Sequence, residues 1–439
     1  MKRFTFRGGA HPNDQKDASR YYKIEKMPAP KMLILPLSQH IGARARAIVE
    51  EGSAVAIGQK IAEADGVVSA NIHSPVSGVV KEIAPHMHPG GMMVDSIVIE
   101  NNGENTLVAG MYGFGDLESL SPQVLRDAIR EAGIVGMGGA AFPTHVKLSP
   151  PAGASLSHCI INGAECEPYL TSDHRVMLEQ PEKVLFSCRV IMRATGAERG
   201  YIAIERNKTD AIEMLKRYAR PFANIEVVAL ETKYPQGSEK QLISTVLKRE
   251  VPPGKLPLDL GVVVNNIDTC AAISDCINLG LPLISRVVTV CGGAFGRTQN
   301  FEVLLGTPIS HIIDYVGGFV KPPDRVLTGG PMMGLPQCTF DVPIIKGTGA
   351  LLALTKQETE MAKPTACLRC GRCVSGCPMR LQPVNLYKAA ERRDTHELRQ
   401  LNLTDCMECG VCTYLCPAKI HLLQHIKVGK TLLAEKAVQ

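Results

Sequence analysis

Between about residues 30 and 105 the apolar positions fall in short β-branched runs such as "SGVVKEIAP" and "DSIVIENNG", each closed by glycine or proline. Runs of this kind predict brief strands joined by turns, hence a small β-domain. The pattern changes at Ser121, an N-cap candidate ahead of Pro122. Apolar Val124, Ala128 and Ile129 follow, and the helix they predict feeds the glycine-rich "GMGGAAFP". From about 155 to 280, "HCIINGA", "RGYIAIE", "NIEVVAL" and "GVVVNN" alternate with the helical patterns "TDAIEMLKRYAR" and "SEKQLISTVLKRE". That alternation predicts βαβ units and a mostly parallel sheet, an α/β fold. Between about 283 and 350, "SRVVTVCGG" predicts strands again and "PISHIIDYVGG" a helix.

Composition narrows the class. At 439 residues the chain exceeds one core and predicts roughly two to four domains. Apolar residues make up 45% and charged residues 21%, as in ordinary globular proteins. A net charge of +5 with scattered lysines and arginines shows no nucleic-acid footprint. The opening "MKRFTFRGGAHPNDQKD" lacks a signal-peptide core, and no apolar run is long enough to span a bilayer, so a cytoplasmic chain is expected.

After Pro364 come "CLRCGRCVSGCP" from Cys367 and "CMECGVCTYLCP" from Cys406, which share the spacing Cys-x2-Cys-x2-Cys-x3-Cys-Pro. Three thiolates so spaced can hold one corner of an iron–sulfur cubane, while the fourth, turned away by proline, reaches the other cluster. On that reading Cys367, Cys370, Cys373 and Cys416 hold one 4Fe-4S centre, and Cys406, Cys409, Cys412 and Cys377 the second. The alternative is a pair of zinc sites, which also use paired Cys-x2-Cys but rarely four cysteines in each compact half. The other seven of the 15 cysteines have no such spacing, and most are expected to be buried small hydrophobes.

The glycine loop alone could be a plain tight turn or a close approach to a phosphate or flat ring. Its company is more specific. "GMGGAAFPTHVKL", "INGAECEP", the Gly237–Glu239 turn and "VNNIDT" together resemble the flavin- and NADH-binding subunit of respiratory complex I over about residues 120 to 350. The full order, with "GGAHP" and a β-rich domain first and two ferredoxin motifs last, is similar to the C subunits of Rnf complexes, ion-translocating NADH:ferredoxin oxidoreductases.

The resemblance implies a multidomain α/β chain. An N-terminal segment and barrel-sandwich hybrid would cover 1–110, a Rossmann-like FMN/NADH domain 118–282, a β-grasp (SLBB) domain ending in "GGPMMG" 283–350, and a helical two-cluster ferredoxin-type domain 360–430. It further implies that Gly136, Gly138 and Gly139 lie against FMN, with Lys147 reaching its phosphate or ring edge. Asn162 and Glu165 would contact the isoalloxazine side, and Glu167 and Phe142 would face the nicotinamide of NAD(H). Tyr234, Gly237 and Glu239 would line the nucleotide cleft, while Asn265, Asn266 and Thr269 would hold the phosphate tail. The chain departs from the pattern at Met137, Ala164 and Ser238, which bears on NADH more than on the flavin.

The stretch "NIHSPVSGVVKEI" is similar to half of a biotinyl- or lipoyl-carrier fold, but no lysine stands near Gly66, where a modified one belongs. A docking or structural module is expected instead. NADH delivers two electrons as a hydride and a cluster accepts one, so FMN is expected to mediate between them. The implied partners are the other Rnf subunits, integral membrane proteins and a ferredoxin-like iron–sulfur subunit. The implied location is peripheral, on the cytoplasmic face of the membrane. The alternatives are a soluble cobalamin-reductase-like flavoprotein and a non-catalytic electron-transfer module. The tail "KIHLLQHIKVGKTLLAEKAVQ" is expected to pack on the cluster domain or a partner, with an interfacial amphipathic helix as the alternative.

Overall fold

The structure, a computed structural model, describes residues 4–150, 153 and 156–438. The predicted β-domain consists of two small antiparallel sheets. Four strands pair in the order Met32–Pro36, Met93–Asn101, Gly78–Met87, Ala54–Val55, and three in the order Arg46–Ala47, Lys60–Glu63, Ile72–His73. Alternation turns Leu33, Leu35, Val80, Ile97 and Ile99 into the core.

The four apolar stretches predicted downstream form one parallel sheet in the order Ile225–Leu230, Arg199–Glu205, His158–Gly163, Val262–Asn266. Both faces are covered, which is why these strands read as nearly continuous apolar runs. Ile160, Val228 and Val264 pack with Leu242, Ile243 and Val246 of the helix Glu239–Leu247. Cys159, Ile161 and Val263 join the larger core that includes the helices Pro181–Thr195 and Ile267–Leu279. The helix Pro122–Glu131 starts as predicted, with Ser121 Oγ accepting from Val124 N at 3.3 Å. Its buried stripe is Leu125, Ala128 and Ile129, whereas Val124 is 40% exposed. Spacings of three and four residues put the first three on one face and leave Val124 off it.

A six-stranded mixed sheet follows, ordered Glu25–Lys26, Gln299–Leu304, Ser285–Cys291, Ala350–Leu354, Arg325–Thr328, Leu335–Pro336. Two features differ from the expected division. The sheet continues past 350, because all of Ala350–Leu354 is buried between two neighbouring strands. Its edge strand Glu25–Lys26 comes from the N-terminal segment, which also bridges Phe4 to Leu230 and Ala10 to Tyr234, so this segment serves the two later sheets rather than the barrel.

The cysteine region is helical, with its own core of Leu386, Ala389, Leu398, Leu403, Leu422 and Ile426. The tail forms the helix Leu422–Val438, whose buried Leu422, Ile426 and Leu432 face that domain.

Candidate functional site

Both cysteine motifs follow the same backbone path. Arg369 and Glu408, Gly371 and Gly410, and Arg380 and Lys419 occupy matching positions, and all six have φ between 54 and 78°. Left-handed residues turn amides inward around a common point, an arrangement suited to an anionic group. Two hollows lie there. One is lined by Cys377, Cys406, Cys409 and Cys412 among Met379, Leu386, Met407 and Ile426. The other, wider and continuous with solvent, is lined by Cys367, Cys370, Cys373 and Cys416. Cys377 thus lines the hollow of the second motif, and Cys416 that of the first. Among the described residues no group of three or more His, Cys, Asp or Glu is arranged to hold a metal ion. Four cysteines around a void suit a cluster better than the tight shell of the zinc alternative.

The quartets differ in setting. Cys367 and Cys370 are exposed, whereas Cys409 and Cys412 are buried. Burial pushes the thiols of Cys409 and Cys412 up to about 12 and also raises Cys377, against the pull of amides at Leu381, Met379 and Arg380. Filling that second site therefore releases protons.

The glycine loop lies across the start of the helix Ile267–Leu279. Met137 N donates to Thr269 Oγ1 at 2.9 Å, and Gly136 N donates to Phe142 O at 2.8 Å. Gly138 backs onto Asn266, where a Cβ would stand 3.2 Å from the Asn266 Cβ, whereas Gly139, at φ +123°, borders open space. Glycine at 138 thus serves loop-to-helix packing, and the open approach belongs to Gly139. Asn266 caps the helix through Asp268 N at 2.8 Å and donates to Asp173 Oδ2 at 2.8 Å. Asn265 Nδ2 is buried without a partner, the mark of a missing acceptor. An unpaired amide, a helix N-terminus and an open glycine at the end of a parallel sheet fit a phosphate-bearing flavin.

Other expected residues are tied up differently. Lys147 Nζ donates to Glu239 Oε1 at 2.8 Å and Val264 O at 3.1 Å. Asn162 Nδ2 donates to Gly237 O at 2.8 Å, joining two of the recognised motifs. Glu165 accepts from Asp173 N at 2.9 Å, so it caps a helix start rather than projecting freely. Glu167 accepts from Met332 N at 3.0 Å, and burial pushes it up to about 7. It is held by the "GGPMMG" loop instead of facing an open pocket with the half-buried Phe142. Tyr234 does not line an open cleft. It is 1% exposed, and its hydroxyl donates to Cys409 O at 2.8 Å, because it fills the joint between the parallel sheet and the cysteine domain.

Sequence reasoning missed the buried charges behind the loop. Arg286 Nη2 reaches Asp268 Oδ2 at 3.2 Å and Met137 O at 3.4 Å, while its Nη1 donates to Lys346 O at 2.6 Å. Lys16 Nζ donates to Glu167 O at 2.9 Å and lies 3.8 Å from Glu165 Oε2. An arginine inside the apolar "SRVVTV" was the one available signal; Lys16 sits in a polar stretch that gave none.

Comparison with known proteins finds a family for each of four regions. The RnfC Barrel sandwich hybrid domain family matches residues 4–104, the Nuo51 FMN-binding domain 129–275, the SLBB domain 287–336 and the 4Fe-4S dicluster domain 360–417. The chain is 43% identical to the C subunit of the Na(+)-translocating ferredoxin:NAD(+) oxidoreductase complex of Acetobacterium woodii, over 89% of this chain and 88% of that one. It is 46% identical to the proton-translocating counterpart of Clostridium ljungdahlii, over 86% and 83%. The C subunit of the ion-translocating oxidoreductase complex of Rhodobacter capsulatus is 44% identical, over 99% and 84%. Among solved structures, a chain of an NAD+-reducing NiFe-hydrogenase shares the fold with a TM-score of 0.51 at 17% identity, covering 75% of this chain and 64% of that one.

Proposed function

Because the chain belongs to the family of C subunits of ion-translocating ferredoxin:NAD(+) oxidoreductase complexes, we propose that it is the electron-input subunit of such a complex, joining NADH to a partner through FMN and two 4Fe-4S clusters. The observation that carries this reading is the joint itself. The Tyr234 hydroxyl on Cys409 O, with Gln241 Nε2 on Pro378 O at 3.2 Å, fastens the flavin-type domain to the buried cysteine quartet.

FMN, when bound, accepts a hydride pair and gives up electrons singly, and each cluster carries one. The chain's own residues do the positioning. Gly139 with Asn265 and the start of the helix Ile267–Leu279 would hold the flavin phosphate end, while Gly136 and Gly138 let the loop fold back on itself and onto Asn266. Thr269 and Arg286 fix the loop from behind, and the Lys147–Glu239 pair and Asn162 order the sheet ends beside it. Cys377, Cys406, Cys409 and Cys412 would ligate the inner cluster, and Cys367, Cys370, Cys373 and Cys416 the outer. No helix among the described residues is long and apolar enough to cross a membrane. Membrane attachment would then come from integral partner subunits at the cytoplasmic face, with a ferredoxin-like iron–sulfur protein of the complex at the outer cluster.

The test is anaerobic purification with iron, sulfide and flavin assays, followed by NADH titration. Bleaching of the flavin and then of the clusters is expected. A loaded protein indifferent to NADH would leave only an electron-transfer module.

A further inference from the structure

The N-terminal segment runs between domains rather than within one. Phe4 O accepts from Glu231 N at 2.9 Å, and Asp14 O from Tyr169 N at 2.8 Å, so both flanks of "GGAHP" are fastened to the parallel-sheet domain. At its centre, Gly9 N donates to Gly376 O at 2.8 Å, and Ala10 and Tyr234 exchange two backbone hydrogen bonds of 2.8 Å. Ala10 is buried with Tyr234, Cys409 and Val411. Gly8 and Gly9 have φ of +83 and +82°. A Cβ on Gly8 would lie 2.8 Å from Cys377 O, and one on Gly9 would lie 2.6 Å from Tyr234 O. Backbone therefore meets backbone on both sides, at a distance only glycine permits.

We infer that Gly8–Ala10 is a positioning element, a spacer that sets how closely the loop carrying Cys377 sits to the flavin-domain edge at Tyr234. The inference rests on the proposed electron path and adds to it a residue set outside every cofactor-binding motif. The side-chain link from Gln241 to Pro378 can adjust its rotamer, whereas the glycine contacts cannot yield without moving a main chain. Electron transfer slows steeply as centres separate, so a small displacement here acts on the rate between the flavin site and the inner cluster without touching a ligand.

The test uses the full cofactor-loaded chain with Gly9→Val and Gly8→Ala, and Gly52→Val as control. Gly52 also has positive φ, at +84°, but nothing within 4 Å of its would-be Cβ. The strap variants should keep iron, flavin and NADH bleaching of the flavin, while cluster reduction slows on the order of tenfold or more; the control, which carries the same backbone strain without the contact, should reduce its clusters at the wild-type rate. Folded, loaded strap variants with unchanged cluster reduction would overturn the inference. A second measurement covers variants that do not fold: amide hydrogen exchange of the wild-type holoprotein. Protection at Gly9, Ala10 and Tyr234 is expected, and exchange at free-peptide rates would sink the idea. If NADH fails to bleach the wild-type flavin, the proposed function falls by itself, and exchange still judges the spacer.

Discussion

Cys370 stands in solvent, while Cys409, its counterpart in the second motif, is buried against Tyr234 and Val411. Two copies of one spacing, with the same left-handed turns, thus occupy opposite surroundings. The first quartet opens outward beside Leu368, 65% exposed, and Arg369. The second is closed in by the flavin-type domain through Tyr234, Gln241 and Ser238. Local sequence specifies how a cluster is gripped, and tertiary context specifies which neighbour it faces. Burial and hydrogen bonding set cluster potentials, so identical motifs need not hold identical centres.

The largest expected effect separates the two by ligand removal. Cys409→Ser and Cys370→Ser should each lose about half of the iron, but the flavin-driven reduction of what remains should differ. Losing the inner site should slow it more than ~100-fold, and losing the outer site should leave it within about twofold. Equal slowing in anaerobic stopped-flow traces would break the inner-to-outer order. A smaller effect tests the joint. Tyr234→Phe strands the Cys409 carbonyl in a buried setting and should cost roughly 1–3 kcal/mol in denaturant unfolding, with the outer site unaltered. An unchanged midpoint would remove Tyr234 from the account.

The smallest effect comes from a domain joint without cysteines. Lys346 Nζ donates to Asn71 O at 2.6 Å and Gly133 O at 2.7 Å, and burial lowers it from 10.5 to about 7. Between those values the unfolded chain holds a proton that the folded chain lacks, so wild-type stability should gain relative to Lys346→Met as pH rises through that window. At pH 7 methionine removes a buried charge but leaves two carbonyls unpartnered, and the net change should be small. Both clusters should remain equally reducible in this variant. A flat pH difference would show that Lys346 does not titrate as its burial implies.

What was legible in the sequence follows from how local each constraint is. The placing of Cys377 and Cys416 beside the other motif's cysteines could be read because the motif spacing is fixed within a dozen residues. The four parallel strands could be read because burial on both faces demands unbroken apolar runs. Tyr234 could not, since its partner Cys409 lies 175 residues away. Lys16 and Lys346 likewise look like surface lysines until distant carbonyls close over them. Val124 and Leu125 show a finer limit, where adjacent apolar residues differ only in helical phase.

The strap at Gly8–Ala10 also orders the assembly of the chain in time. Phe4, Gly9 and Ala10 find their partners at Glu231, Gly376 and Tyr234, which are made more than 200 residues after them. The barrel can close during synthesis from contacts within 32–101, but the joint beside Cys377 must wait until Gly376 has been made. Long-range closure of this kind is slow relative to local folding. The cysteine domain, with a core of its own, can therefore be exposed to iron and sulfide delivery before the early residues seat against it, so cluster insertion can precede the final locking step.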